Sequence, residues 1–102
     1  MSLVNIDSVR RQVLRILDKI EPPGGVELLS YKRNRSVALV CQSPGEYLIR
    51  EQGYVDQEIL INRQDLARIL KTMIKREFPR SRKVRLHKFD HPEELERARQ
   101  KI

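Results

Sequence analysis

From Ile6 to Ile20 the apolar residues Ile6, Val9, Val13, Ile16, Leu17 and Ile20 return at helical spacing, with Asn5 or Asp7 placed to cap the first turn. The spacing predicts an amphipathic helix. Pro22-Pro23-Gly24-Gly25 should close it, because proline lacks the amide donor a helix needs and glycine accepts turning conformations. Beyond that point the period shortens. Val26 to Tyr31, Ser36 to Gln42 and Glu46 to Arg50 are apolar or β-branched segments, separated by polar turns at Arg33-Asn34-Arg35 and Ser43-Pro44-Gly45. They predict three antiparallel strands in a meander. Between Glu51 and Asn62, Gly53 either turns the chain into a fourth strand ending at Ile59-Leu60-Ile61 or bulges a long third one. The first reading is favoured.

Asn62 with Asp65 three residues on marks a helix start, and Leu66, Ile69, Leu70, Met73 and Ile74 give a helix to about Phe78 its buried face. Pro79 stops it. Val84 and Leu86 then alternate with Lys83, Arg85 and His87 as in a strand with one buried face, and strand, helix and strand in succession imply a right-handed crossover. Asp90 and Glu93 can cap a last helix over 90–102, whose narrow apolar side is Leu95, Ala98 and Ile102. The expected architecture is α+β: an N-terminal helix, an antiparallel meander of three to four strands, a helix, a further strand and a C-terminal helix, with the helices on one sheet face.

A chain of 102 residues with 39% apolar and 34% charged residues fits one small domain, residues 1–102, whose C-terminal helix is peripheral. The start of the chain lacks a basic region followed by an apolar run, and no segment approaches a membrane span of about 20 apolar residues, so no transmembrane segment and a cytoplasmic location are expected. The single cysteine, Cys41, cannot form an internal disulfide and follows the apolar run Val37 to Val40, which suits a core thiol.

Charge sharpens the picture. Lys71 to Lys88 holds eight of the 21 basic residues and one acid, Glu77, while the rest of the chain balances at 13 against 13. Arg68, Lys71 and Lys75 form one stripe on the second helix, Arg80 and Arg82 lie in the loop, and Lys83, Arg85 and His87 share the strand face away from Val84 and Leu86. Helix and strand side by side would merge these into one positive surface. Arginine outnumbers lysine 14 to 7, and its planar fork suits phosphate oxygens. The expectation is a non-enzymatic binding module that engages RNA, or else DNA, through Arg68, Lys71, Lys75, Arg80, Arg82, Lys83, Arg85 and Lys88. Its rival is a protein-interaction or assembly domain, docking through the C-terminal helix or an open sheet edge, whose basic face is only solvated or meets an acidic protein partner. An anionic membrane surface is a third class of target.

Aromatic residues are few: Tyr31, Tyr47, Tyr54, Phe78 and Phe89. Tyr47 and Phe78 read as core, leaving Phe89 either on the predicted exposed face with Arg85 and His87 or tucked under the last helix. Binding led by backbone contacts and tolerant of sequence is the form that follows, since base recognition needs exposed stacking surfaces. Over residues 6 to 78 the order helix, three strands, helix is that of double-stranded RNA-binding domains. In those domains, however, the second helix opens with a lysine cluster, whereas this one opens with Asn62, Arg63, Gln64 and Asp65. A KH-type Gly-x-x-Gly clamp is absent as well, so the order assigns no family.

Signals for chemistry are thin. His87, Asp90 and His91, with Cys41 elsewhere, are the most ligand-like group, but a strand end and a helix cap between the histidines spoil a shared metal geometry; no metal or cofactor is expected. Dinucleotide, phosphate-loop and nucleophile-elbow motifs are missing. Glu51, Asp56 and Glu58 read as decoration of an exposed hairpin, and no carboxylate stands in an apolar setting that would raise its pKa.

Overall fold

The computed structural model describes residues 2–30, 32, 34–91 and 93. Their elements are β1 (Ser2–Asn5), α1 (Ile6–Leu17), β2 (Gly25–Leu29), β3 (Ser36–Ser43), β4 (Glu46–Gln52), β5 (Gln57–Asn62), α2 (Arg63–Glu77) and β6 (Lys83–Phe89). All six strands form one antiparallel sheet in the order β1-β6-β2-β3-β4-β5. The mixed α and β character is as expected, and residues 57–62 do form the separate fourth strand of the meander. The strand count is a correction. A four-residue strand before α1 had no periodicity to announce it, and it exists because β6 offers it an edge, pairing Leu3 with Arg85 and Val4 with Val84. The C-terminal helix expected over 90–102 falls largely outside the described residues.

Because neighbours are antiparallel throughout, β5 and β6 run in the same direction with β4, β3 and β2 between them, and β1 and β2 do so with β6 between them. Each helix therefore spans strands that do not touch. The helices themselves start where the sequence says: Asn5 Oδ1 accepts the Asp7 amide at 2.9 Å, and Asn62 Oδ1 accepts the Asp65 amide at 3.0 Å. Asparagine at such a cap satisfies one of the otherwise orphaned first-turn donors.

One core holds the two helices to one sheet face. Val9, Val13 and Leu17 of α1 and Leu66, Leu70, Met73 and Ile74 of α2 pack on Val26, Leu28, Val37, Leu39, Tyr47, Ile49, Val84 and Leu86. Tyr47 and Phe78 are core residues as read, and the Tyr47 hydroxyl donates to the Leu17 carbonyl at 3.4 Å, tying β4 to the end of α1. Cys41 lies in the same core, where burial raises its thiol pKa. The opposite face carries a smaller buried cluster of Ala38, Val40 and Phe89, with Leu48 against it. Phe89 is thus on the face expected of it but buried, a correction to its reading as an exposed aromatic. It meets Gly25, its partner across the ladder. A side chain at Gly25 would run into the Leu39 carbonyl and the Phe89 ring, so only glycine lets the backbone lie this close. No helix among the described residues is long and apolar enough to cross a membrane.

Candidate nucleic-acid interface

The two helices lie antiparallel on the sheet. Arg63 at the start of α2 grips Asp18 at the end of α1 at 2.8 and 3.2 Å, and Ile6, Asp7 and Arg10 at the start of α1 share a groove with Lys71, Ile74 and Lys75 late in α2. Hydrogen bonding to Arg63 holds the Asp18 carboxyl below its ordinary pKa. With the apolar stripes turned to the sheet, the outward faces present Arg10, Arg11 and Arg15 from α1 and Arg68, Lys71 and Lys75 from α2, all exposed. Arg10, Arg11, Arg15 and Arg68 line one shallow groove between the helices, and Arg10 links it to the groove with Lys71 and Lys75. Acids also reach this surface: Asp18 lines the first groove while paired with Arg63, Asp7 lines the second, and Asp65 stands 3.5 Å from Arg68.

Arg68, Lys71 and Lys75 are therefore brought together as expected, but their neighbours are the arginines of α1 rather than the cations of β6. Val84 and Leu86 belong to the helix-side core, so strand alternation sends Lys83, Arg85 and His87 to the other face. The sheet separates the two halves of the anticipated positive surface. Lys88 is exposed at the end of β6 on the helix side by the same alternation, and Arg82 is exposed beside Lys83, its carbonyl accepting the Ile6 amide at 2.8 Å. Arg80 is exposed in the loop after α2, where it lines a groove with Lys32, Asn34, Arg35 and Tyr54. The α1 arginines had a signal in the sequence, three in six positions, but Asp7 and Asp18 nearby hid them from a count of charge along the chain.

At the end of α2 the apolar periodicities of helix and strand both run into a glutamate. Glu77 continues the stripe of Leu70, Met73 and Ile74, and Glu51 continues the inward alternation of Tyr47 and Ile49; their relative exposures are 1% and 0%. Both findings correct the sequence reading, which put Glu51 on an exposed hairpin and found no carboxylate in a setting that raises its pKa. Arg76 holds Glu51 through two hydrogen bonds, at 2.7 and 2.6 Å, and Gln57 Nε2 donates a third at 2.8 Å. The Glu77 carboxylate accepts the Tyr54 and Val55 amides at 3.0 and 3.3 Å and interacts directly with Glu51. Gly53, in the same turn, leaves room for that carboxylate, which any side chain there would strike.

Burial pushes both carboxyls upward. At Glu51 the hydrogen bonds of Arg76, Glu77 and Gln57 outweigh it and hold the pKa at about 2, whereas at Glu77 burial and the bond to Glu51 prevail over the two amides and raise it. Two carboxyls in contact cannot both ionise freely, and of the two it is Glu77 whose hold on a proton is strengthened. The signs follow by linkage. Glu51 contributes stability that is present above its unfolded pKa near 4.5 and lost as pH falls toward 2. Glu77 contributes stability that is present below 4.5 and lost as pH rises through its raised folded pKa. Glu77→Gln, neutral at every pH, should therefore gain stability relative to the unmodified chain as pH rises above 4.5 and through the raised folded pKa of Glu77. Urea unfolding followed by circular dichroism across a series of pH values measures this, and parallel stability curves would show that folding does not raise the Glu77 pKa.

Among the described residues no three potential metal-binding side chains converge, and Cys41 and His87 lie on opposite sheet faces. No protein-family model, curated protein or solved structure matches the chain.

Proposed function

We propose that the protein is a small nucleic-acid-binding module, for RNA ahead of DNA, whose main contact surface is the outer face of the two helices. The observation that carries the reading is the union of Arg10, Arg11 and Arg15 with Arg68, Lys71 and Lys75 across two adjoining grooves. Neither helix alone has such a density of cations. Side by side they offer a strip on which successive phosphates can be neutralised with release of counterions. Exposed side chains on two rigid helices read backbone rather than base edges, so binding is sequence-tolerant.

The test is fluorescence anisotropy of labelled single-stranded and duplex RNA and DNA titrated with the chain. The expected result is micromolar or tighter binding at about 50 mM salt that weakens by orders of magnitude toward 200 mM. Absence of binding at low salt contradicts it. The rival reading, protein interaction, has one observation in its favour: Leu60 is 60% exposed on β5, which forms one edge of the sheet. Concentration-dependent self-association without nucleic-acid binding would be its signature.

A further inference from the structure

Tyr54 is the most exposed large apolar side chain among the described residues, at 66%, although the Arg35 guanidinium sits 3.9 Å from its ring centroid. The guanidinium covers one ring face, and the residue as a whole stays largely exposed. The stack is also fixed at both ends by one buried residue, since the Tyr54 amide donates to the Glu77 carboxylate and Arg35 donates to the Glu77 carbonyl at 3.3 Å. The loop bearing Arg35 is closed in turn: the Ser30 amide donates to the Arg35 carbonyl at 3.0 Å, and the Ser30 hydroxyl donates to Asn34 Oδ1 at 2.9 Å. An exposed tyrosine is usually incidental. One held by a cation against its ring, and lining with that cation a groove of about 610 Å³ that Lys32 and Arg80 also line, is a prepared stacking platform.

We infer that this groove takes an unpaired nucleotide of a single strand, with the base stacked on the Tyr54 ring opposite Arg35 and the adjoining phosphates met by Lys32 and Arg80. The inference rests on the nucleic-acid reading above and adds to it a preference for strands with unpaired bases. Base, tyrosine and guanidinium then form a three-layer stack, and Asn34 and Ser81, which also line the groove, offer polar groups to the base edge. Stacking is indifferent to base identity, so the site adds affinity for single strands without a sequence code.

The test uses a short single-stranded RNA containing one 2-aminopurine, whose fluorescence falls on stacking, and a duplex RNA of the same length. With the unmodified chain the 2-aminopurine signal should be quenched on binding. Tyr54→Ala should abolish the quenching and weaken single-strand affinity about tenfold, Tyr54→Phe should preserve both, and duplex affinity should stay within about twofold throughout. The 2-aminopurine nucleoside monophosphate should not quench at strand concentrations; saturation by it at equal affinity would overturn the assignment to a strand. A chain that binds duplex RNA in a salt-sensitive way but is indifferent to Tyr54→Ala overturns this site and leaves the helical surface standing. Failure to bind any RNA at low salt overturns both.

Discussion

Arg76→Ala should lower the unfolding free energy by about 3 kcal/mol at neutral pH, the low end of the range for removing one partner of a buried ion pair. The asymmetry of the pair sets the figure. Glu51 is fully buried, while the Arg76 side chain is 35% exposed. The cost therefore falls on Glu51, because loss of the guanidinium leaves a carboxylate inside the core with only Gln57 and the Glu77 carboxyl for company. Its pKa would then rise from about 2, as burial goes unopposed by the two strongest hydrogen bonds. Adding Glu51→Gln should recover part of the loss, because a neutral amide is easier to bury than an unpaired charge. Urea unfolding of both variants measures this. Equal stability of Arg76→Ala and the unmodified chain would mean that the bidentate contact contributes nothing beyond an ordinary surface pair.

The fold was legible wherever one period ran unbroken. Val9, Val13 and Leu17 announced α1, Leu66, Leu70 and Ile74 announced α2, and the asparagine caps set both starts. β1 was not legible, because four residues carry too little pattern and its pairing depends on β6, some eighty positions away. The buried glutamates were hidden by residue type: at positions 51 and 77 the period asked for an apolar residue and found a charge, and the reading followed the charge. Period and charge in conflict on two converging elements was the available signal. The site was half legible. The α2 stripe stood out, but Arg10, Arg11 and Arg15 join it only in space, and Lys83 and Arg85 leave it because strand alternation turns them to the other side of the sheet.

That separation gives the proposed function its strongest prediction. Removing four helical cations, Arg10, Arg11, Lys71 and Lys75, to alanine should weaken RNA binding roughly a hundredfold, at about 0.7 kcal/mol for each exposed contact. Alanine is the best helix former and all four side chains are exposed, so the fold should persist. Lys83→Ala with Arg85→Ala, on the opposite face, should change affinity by less than about threefold, within the range of a general loss of positive charge.

The most direct measurement is the slope of log affinity for RNA against log salt in the unmodified chain, the helical fourfold variant and the strand-face pair. Each phosphate contact contributes about 0.7 to that slope for a single strand and about 0.9 for a duplex. A slope shallower by about 3 to 4 in the fourfold variant, with the strand-face pair unchanged, is the predicted result. An unchanged slope in the fourfold variant, or a larger drop in the strand-face pair, would contradict the helical surface as the site of contact.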